Sequence, residues 1–283
     1  MASIIRLKQE IQFNTRLGSL LDVLKSIAAQ QFQILERSMR TNPVFLEALQ
    51  GIVYTFDLDS VAHPFTQDRG SCGVIAVTSN SGLLGGLNQQ VVNVAMREYR
   101  KQPGELIIIG ERGLSYVKEQ GLAFHAFPGV EDDQRETLAA QIRSYALSQV
   151  LQQRLGSLTI VHPHALSFTH QQVEVKPVLP CQRWAQAASI PQGVRGGTII
   201  MESALPDIIE YAVWLWLGVT LYEVFGLSRL AELAARAVHL EGSSQELQSR
   251  GQTLKRKYFR LRHEAIDANM RELFAARSLF GHS

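Results

Sequence analysis

A glycine-rich turn is the part of the sequence whose residue types most resemble a ligand site. It reads Ser79-Asn80-Ser81-Gly82-Leu83-Leu84-Gly85-Gly86-Leu87-Asn88 and lies between a predicted buried strand and a predicted helix. Such turns often bind phosphate because the helix N-terminus presents unpaired N–H groups. The spacing is not G-x-G-x-x-G, and the chain contains no Gly-Lys-Ser/Thr, so the dinucleotide fingerprint and the P-loop are both absent. We interpret the turn as a tight connection, with phosphate binding as the alternative.

Three histidines, His162, His164 and His170, lie close enough in sequence to raise the question of a metal site. No cysteine accompanies them, and the nearest following carboxylate is Glu174, so the ligand set of a structural or catalytic metal is incomplete. We predict histidines in surface loops.

The two cysteines, Cys72 and Cys181, are far apart in sequence and give neither a disulfide framework nor a metal spacing. Cys72 has no neighbouring histidine or other base that would activate a thiol, and neither G-x-S-x-G nor H-E-x-x-H occurs. We predict reduced, buried thiols, and we assign no catalytic, cofactor-binding or metal-binding residue.

Composition limits the classes of protein that need consideration. The chain has 283 residues, 46% of them hydrophobic, which is enough for a buried core, and its net charge of +2 is far from the basic excess of a nucleic-acid-binding protein. The first twelve residues do not have the pattern of a signal or transit peptide. Residues Tyr211 to Tyr222 are apolar but too short for a bilayer span of about twenty residues, and we predict a buried helix, with an interfacial membrane segment as the alternative.

The middle of the chain alternates strand and helix patterns, which predicts a small Rossmann-like α/β domain with a mainly parallel sheet. The predicted strands are Cys72–Thr78, Glu105–Ile109, Leu122–Phe127, Leu158–His162, Val173–Leu179 and Thr198–Glu202. The predicted helices are Gln89–Arg100, Leu114–Glu119 and Asp132–Leu155, with a further helix from Asn42 to Tyr54 and a loop from Gln182 to Gly197.

The last fifty residues have the apolar period of a coiled coil. Leucines alternate with small residues at steps of three and four, which predicts a narrow seam against a second helix. The seam positions are Leu230, Leu233, Ala237, Leu240, Ser244, Leu247, Gly251, Leu254, Tyr258, Leu261 and Ala265. We predict one helix from about Pro206 to Leu279.

The N-terminus has a matching pattern and predicts the partner helix, from about Ser3 to Arg40. Its apolar positions begin with Ile4, Leu7 and Ile11, then change phase and continue as Phe13, Leu17, Leu20, Leu24, Ile27, Gln31 and Ile34. Because neither seam can be buried alone, we expect the two terminal helices to pair antiparallel. The expected domains are residues 1–56 and 206–283 for the coiled coil and 57–205 for the α/β domain.

This layout and several motifs resemble the gamma subunit of F-type ATP synthases. The family's Ser-Asp-Arg-Gly-Leu-Cys-Gly motif is similar to the glycine-rich turn, and its Leu-x-x-x-Tyr-Asn-x-x-Arg-Gln-x-x-Ile-Thr is similar to the run Leu254, Tyr258, Arg262 and Ile266. Ala231-Glu232, Ala235-Arg236, Leu7-Lys8, Ile27-Ala28-Ala29 and Gly110-Glu111-Arg112-Gly113 also match in register. The chain departs from the family at Phe259, His263 and Asp267, at Asn80-Ser81, at Ser19-Leu20-Leu21, and at Leu24 and Ser26.

The resemblance implies a central rotor shaft that performs no bond chemistry and needs no cofactor. Its implied partners are the alpha and beta subunits of the catalytic hexamer, the epsilon subunit and the ring of c subunits, at the cytoplasmic face of a bacterial inner membrane. The implied partner-contact residues are Glu232, Arg236, Tyr258, Arg262, His263 and Ile266. The apolar tip from Met270 to Leu279 would turn in an apolar collar. The α/β domain would meet epsilon and the c-ring. A nucleotide-binding α/β enzyme with helical arms, or a coiled-coil scaffold, is the alternative.

The basic run Lys255 to Lys257, with Arg260 and Arg262, has two interpretations from its residues alone. It could be the solvated face of the coiled coil, or a positive collar that meets an acidic partner.

Overall fold

A computed structural model describes residues 2–39, 62–67, 70–181 and 202–280. Its helices within these ranges are α1 (Ala2–Ser38), α2 (Leu87–Lys101), α3 (Glu111–Lys118), α4 (Arg135–Leu151) and α5 (Leu205–Phe280). Its strands are β1 (Cys72–Val77), β2 (Glu105–Ile109), β3 (His125–Phe127), β4 (Ser157–Ala165) and β5 (Gln171–Leu179). The predicted helix from Asn42 to Tyr54, the loop from Gln182 to Gly197 and all but the last residue of the strand Thr198–Glu202 lie outside the described residues.

The five strands form one sheet in the order β3-β2-β1-β4-β5. Strands β3, β2, β1 and β4 are parallel, and β5 pairs antiparallel with β4 at the edge. Ile75 of β1 lies opposite Ile107 of β2 and Ile160 of β4, so β1 is paired on both sides. The prediction of a mainly parallel sheet is confirmed.

Helices cover both faces of the sheet, which explains why its strands are continuous apolar runs. Val74 and Ala76 face a cluster that contains Val91 and Val92 of α2. The alternate residue Ile75 faces a second cluster that contains residues of α4 and of the first part of α5. Strands β1, β2 and β4 therefore contribute apolar side chains to two separate cores.

The first part of α5 belongs to this core. By length and composition alone α5 could cross a membrane, but half of its most apolar window is buried inside the protein. Trp216 is buried against the sheet, as predicted, whereas Trp214 is 39% exposed and lies at the surface. The predicted buried helix is thus confirmed for the segment from Tyr211 to Tyr222, with the exception of its outward face.

The chain divides into two compact units, Gln30–Arg236 and the pair Met1–Ala29 with Ala237–Ser283. In the second unit the parts of α1 and α5 pair antiparallel: Glu10 contacts Arg250, Asn14 contacts Leu247, and Lys25 contacts Glu241. As the residue numbers on α1 increase, those of the contact partners on α5 decrease, as expected for antiparallel helices. Every position of the predicted C-terminal seam from Ala237 to Ala265 is buried or half-buried. The predicted pairing of the chain ends is confirmed.

The second half of the predicted N-terminal seam is correct at Leu17 and Leu24, which are half-buried, and wrong at its other positions. Phe13, Leu20, Ile27 and Ile34 are exposed. The seam does not change phase after Ile11 but continues through Asn14, Gly18, Leu21, Lys25 and Ala28, all of which are buried or half-buried. Polar residues were passed over because a sequence pattern does not show that a facing helix supplies their hydrogen-bond partners.

Candidate partner-contact surfaces

The glycine-rich turn is held by its own side chains at the carboxyl edge of the sheet. Asn80 Oδ1 accepts hydrogen bonds from the backbone N–H groups of Glu111 and Gly129, at 3.2 and 3.1 Å. Asn88 Oδ1 accepts from Ser79 N at 3.1 Å, and its amide donates to Ser79 Oγ at 2.9 Å. The Asn80 amide therefore joins the turns that follow β1, β2 and β3.

The crevice beside this turn is filled by apolar packing. In open α/β sheets ligands bind outside the carboxyl ends of the strands, where neighbouring connections diverge, and here β1 lies between β2 and β4. Leu84 and Leu87 of the turn pack against Ala231 and Ala235 of α5, and all four are buried. The turn is a tight connection, as predicted, and its apolar side chains bind a helix.

The three histidines occupy different environments, which corrects the prediction of surface loops for two of them. His162 is buried within β4, and burial lowers its pKa to about 4. His164 is half-buried on the same strand, 2.9 Å from Glu174 of β5, whereas His170 is exposed in the turn between the strands, as predicted. Among the described residues no group of three or more His, Cys, Asp and Glu side chains could hold a metal ion.

The two cysteines are free and buried, as predicted. Cys181 lies in the core of the sheet, and burial raises the pKa of its thiol to about 12. A thiol with so high a pKa holds almost no thiolate at neutral pH and is a poor nucleophile.

Polar contacts join the two helices of the coiled coil. Lys25 Nζ donates to Glu241 Oε2 at 2.6 Å, and this hydrogen bond raises the pKa of Lys25 and lowers the pKa of Glu241. The Ser244 hydroxyl, buried in the seam, donates to Asp22 Oδ1 at 2.9 Å. We refer to these contacts, with those of Asn14 and Glu10, as the polar clasp.

Near the polar clasp the seam contains small residues as well as polar ones. Gly18 of α1 and Gly251 of α5 line an open cleft of about 310 Å³ together with Asn14 and Ser244. The buried Asn14 amide donates to the Leu247 carbonyl at 2.7 Å across this region. A polar side chain in a coiled-coil seam fixes the register of the helices at some cost in stability.

Two of the predicted contact residues, Glu232 and Arg236, lie in the unit that contains the sheet. Glu232 is only 5% exposed and accepts a hydrogen bond from Arg229 Nη1 at 3.0 Å. Burial raises the pKa of Glu232 and Arg229 opposes that shift, while burial lowers the pKa of the half-buried Arg236. In the described part of the chain Nη2 of Arg236 is buried and has no hydrogen-bond partner.

The other four predicted contact residues lie on the α5 part of the coiled coil. Tyr258 is half-buried in the seam, whereas Arg262, His263 and Ile266 are exposed. The structure thus divides the six residues between two units and gives Glu232 a partner within its own chain. Their contact with other subunits remains a prediction. The basic run Lys255 to Lys257 is exposed, which is compatible with both of its interpretations.

Exposed apolar residues form two sets on the coiled coil, of which only the first was missed in the sequence, since the second includes Ile266 and the predicted apolar tip that begins at Met270. Phe13, Leu20 and Ile27 are spaced by seven and lie beside the polar row Gln12, Ser19 and Ser26 on the outer surface of α1. A second exposed apolar set on α5 comprises Phe259, Ile266, Met270, Leu273 and Phe274. Apolar side chains at these spacings form continuous stripes on a helix, and large exposed apolar patches usually mark interaction surfaces. The regular spacing was visible in the sequence but was attributed to the seam.

Comparison with known proteins gives a full-length family match. The sequence model of a family described as ATP synthase matches residues 3–278. The chain is similar to the ATP synthase gamma chain of Clostridium acetobutylicum, with 26% identity over 281 residues and 96% of each chain covered. It is similar to the ATP synthase gamma chain of Clostridium pasteurianum, with 24% identity and again 96% of each chain covered.

Solved structures have the same fold. A chain of the Euglena gracilis mitochondrial ATP synthase matches with a TM-score of 0.70 and 15% identity, covering 98% of this chain and 94% of that one. A chain of the Tetrahymena thermophila mitochondrial ATP synthase central stalk and c-ring matches with a TM-score of 0.57 and 17% identity, covering 80% of this chain and 99% of that one.

Proposed function

The chain belongs to the family of ATP synthase gamma chains, and we propose that it is the central-stalk rotor subunit of an F-type ATP synthase or ATPase. It couples rotation of the membrane c-ring to nucleotide turnover at the beta subunits and performs no bond chemistry itself. The observation that carries this proposal is the antiparallel pairing of the two chain ends through the polar clasp. A paired-helix shaft is stiff enough to transmit torque, which a single helix of the same length is not.

The proposed mechanism is coupling through differential contact. The two helices present different surfaces around the shaft, since α1 has an apolar row at Phe13, Leu20 and Ile27 and α5 has the basic run Lys255 to Lys257. Three beta subunits around such a shaft each meet a different side of it. Rotation then changes the free energy of each contact and with it the nucleotide affinity of each site, which is the general form of allostery.

The proposed partners are the alpha and beta subunits for the coiled coil, and epsilon and the c-ring for the α/β unit. Arg262, His263 and Ile266 are exposed on the coiled coil and are proposed to contact the beta subunits, with Tyr258 supporting them from the seam. Arg236, which is half-buried, is proposed to contact the same ring. Glu232 is proposed to act indirectly, by holding Arg229 and the charge near Arg236.

The proposed location is the cytoplasmic face of a bacterial inner membrane, with the membrane reached only through the partner subunits. The proposed complex translocates protons or sodium ions.

A truncation after Tyr258 tests the proposal in the assembled complex. The described clasp contacts, up to Arg250, all precede this point, so the helices keep their pairing and the α/β unit keeps its core. We expect ATP-driven ion pumping to fall strongly while unfolding of the α/β unit changes little. Unaltered pumping by an assembled complex that carries the truncation would contradict the rotor mechanism.

Substitution of the apolar row gives a sharper test, because it leaves the length of the shaft unchanged. Phe13, Leu20 and Ile27 are replaced together by Gln, and the matched control replaces Gln12, Ser19 and Ser26 of the adjacent exposed row by Ala. We expect the apolar-row variant to fold normally but to lose affinity for the alpha and beta subunits by roughly tenfold for each 1.4 kcal/mol of contact removed. Equal assembly of the variant and its control would exclude this row as a subunit contact.

A further inference from the structure

One face of α5 in the α/β unit alternates aromatic residues and glycines at successive helical turns. Trp214, Gly218, Tyr222 and Gly226 are each separated by four residues. The Arg143 guanidinium lies 3.6 Å from the centre of the Trp214 ring. A Cβ atom at Gly218 would lie only 2.3 Å from Nη1 of the same arginine. The glycine therefore leaves the space that the arginine occupies as it crosses the ring.

The next two turns of the helix repeat this arrangement. The Arg135 guanidinium lies 3.9 Å from the centre of the Tyr222 ring, and a Cβ at Gly226 would lie 2.8 Å from its Nη1. Two cations from α4 thus lie on aromatic rings of α5, each with an adjacent glycine. This face of the helix attracts cations because the π faces of its rings are electron-rich.

The row continues toward the start of α5, where the described residues provide no third cation. Tyr211 lies parallel to Trp214, with ring centres 6.0 Å apart and an angle of 10°, and it remains 63% exposed. Beside the two rings, Asp207 and Glu210 complete the lining of an open notch of about 340 Å³. We call these four residues the aromatic–acidic notch.

The notch carries negative charge without a described counter-ion. Asp207 and Glu210 are exposed, and no ion pair to either is found among the described residues. The charge of Glu210 does reach His63, but burial outweighs it and lowers the pKa of His63, which favours the neutral ring. Within the described part of the chain the two carboxylates therefore have no paired cation and can attract a further one.

We propose that the aromatic–acidic notch receives a lysine or arginine side chain from another subunit of the complex. The occupant is a cation because two ring faces and two carboxylates both favour positive charge, and the same helix face already accepts two guanidinium groups. An anionic lipid surface fits poorly, since Asp207 and Glu210 would repel it. The inference rests on the proposed function only in identifying the source of the side chain as a subunit of that complex.

Site-specific photo-cross-linking in the native host tests the proposal. The full chain carries an affinity tag and p-benzoylphenylalanine in place of Tyr211, which preserves an aromatic side chain at the notch. We expect a cross-link to a non-catalytic subunit within a few residues of a lysine or arginine. Cross-links only within the chain, to lipid, or to a segment without a basic residue would overturn the proposal.

Charge reversal provides the second measurement. Asp207→Lys with Glu210→Lys should reduce copurification of the cross-linked subunit at least tenfold, and reversing the basic residue on that subunit should restore it. The control reverses Glu119 and Glu131, which are also exposed in the α/β unit and give the same change in net charge. Equal losses in both double variants would overturn the proposal.

The same preparation separates this inference from the proposed function. Copurification of alpha and beta subunits reports on the rotor role and does not depend on residue 211. If these subunits are absent while the cross-link still joins a basic segment of another protein and responds to charge reversal, the notch is a cation site and the rotor proposal fails. If they are present and the cross-link lacks a basic neighbour, only the notch proposal fails.

Discussion

Lys25 and Glu241 are 216 positions apart in the sequence, yet their side chains form a hydrogen-bonded ion pair with 2.6 Å between Nζ and Oε2. The pair lies on the surface of the coiled coil, where solvent screens its charge. Its main effect is to specify which turns of the two helices face each other. The Ser244–Asp22 bond lies one turn away on α5 and adds to the same register.

Stability from this ion pair should depend on pH in a defined way. Hydrogen bonding to Lys25 lowers the pKa of Glu241 below 4.5. The stability that the ion pair contributes is therefore fully present above pH 4.5 and is lost as pH falls through the folded-state pKa of Glu241. Hydrogen bonding to Glu241 raises the pKa of Lys25 above 10.5. The same stability is therefore fully present below pH 10.5 and is lost as pH rises through the folded-state pKa of Lys25. We expect a double-mutant cycle with Lys25→Gln and Glu241→Gln to show coupling at neutral pH and none at about pH 3.

Coupling that survives at about pH 3 would contradict this assignment. The same cycle on the exposed pair Lys101–Glu98, which joins neighbouring turns of one helix, is the control for general effects of acid.

Gly18 offers a route to a more stable coiled coil. A Cβ atom at this position would meet no other atom within 4 Å, and the residue lies in the interior of α1. Because glycine loses more backbone entropy than alanine on entering a helix, we expect Gly18→Ala to raise the free energy of unfolding by roughly 0.5–1 kcal/mol. Urea unfolding followed by far-UV circular dichroism measures the change.

Gly242→Ala is the matched control for this substitution, since its Cβ would also meet nothing within 4 Å in the interior of α5. Both variants should gain stability by similar amounts. Loss of stability in Gly18→Ala alone would mean that the cleft beside it requires an unobstructed backbone.

His162 should make the α/β unit sensitive to mild acid. Burial lowers its pKa from 6.5 to about 4, so the unfolded chain binds a proton before the folded chain does. Stability is therefore lost as pH falls from 6.5 toward 4, by up to about 3 kcal/mol at 1.36 kcal/mol per pKa unit. We expect His162→Gln to be destabilised at neutral pH but to lose less stability than the native chain across this window, measured by urea unfolding at successive pH values.

The exposed turn residue His170 provides the control, because His170→Gln should retain the pH dependence of the native chain. An identical acid response in native chain and His162→Gln would show that another group is responsible.

Glu232 distinguishes a structural role from direct contact with a partner. Its carboxylate is buried and bonded to Arg229, which also lies 3.7 Å from Asp132. Removing Glu232 deletes a charged hydrogen bond but leaves Arg229 beside Asp132, and the loss of such a bond typically costs about 1.5–3 kcal/mol. We expect Glu232→Ala to destabilise the isolated chain on this scale, while the exposed Glu246→Ala has little effect in the same unfolding experiment. A stable Glu232→Ala chain that fails only in assembly would instead support direct contact.

Elements whose burial follows from the apolar pattern alone were predicted correctly from the sequence. Strand β2 was predicted with the bounds it has, Glu105–Ile109, because a strand covered on both faces is a continuous apolar run. The C-terminal seam was likewise predicted correctly, since its leucines and small residues keep one phase.

The pattern failed where polar contacts determine burial. Asn14 and Lys25 lie in the N-terminal seam because Leu247 and Glu241 on the facing helix bind them, and neither partner can be recognised without the antiparallel register. His162 was predicted as a surface histidine at the end of the strand Leu158–His162, next to Pro163. Strand β4 continues through Pro163 because its last residue paired with β1 is Val161, so beyond that point only β5 must be satisfied.

The aromatic–acidic notch could not be predicted from the apolar pattern either, although Tyr211 and Trp214 were noted as apolar residues of a buried helix. Their exposure and their stacking depend on how α5 is rotated against the sheet, which brings Trp216 inward and Trp214 outward. Helical periodicity alone left the direction of this rotation open, because both faces of the segment carry aromatic residues.

The packing of Leu84 and Leu87 on Ala231 and Ala235 has a consequence for competition. A crevice that holds a diffusible molecule fills and empties with concentration, whereas this one is occupied by a segment of the same polypeptide. The sheet therefore holds the helix at this edge whatever the concentration of any ligand that would need the same space.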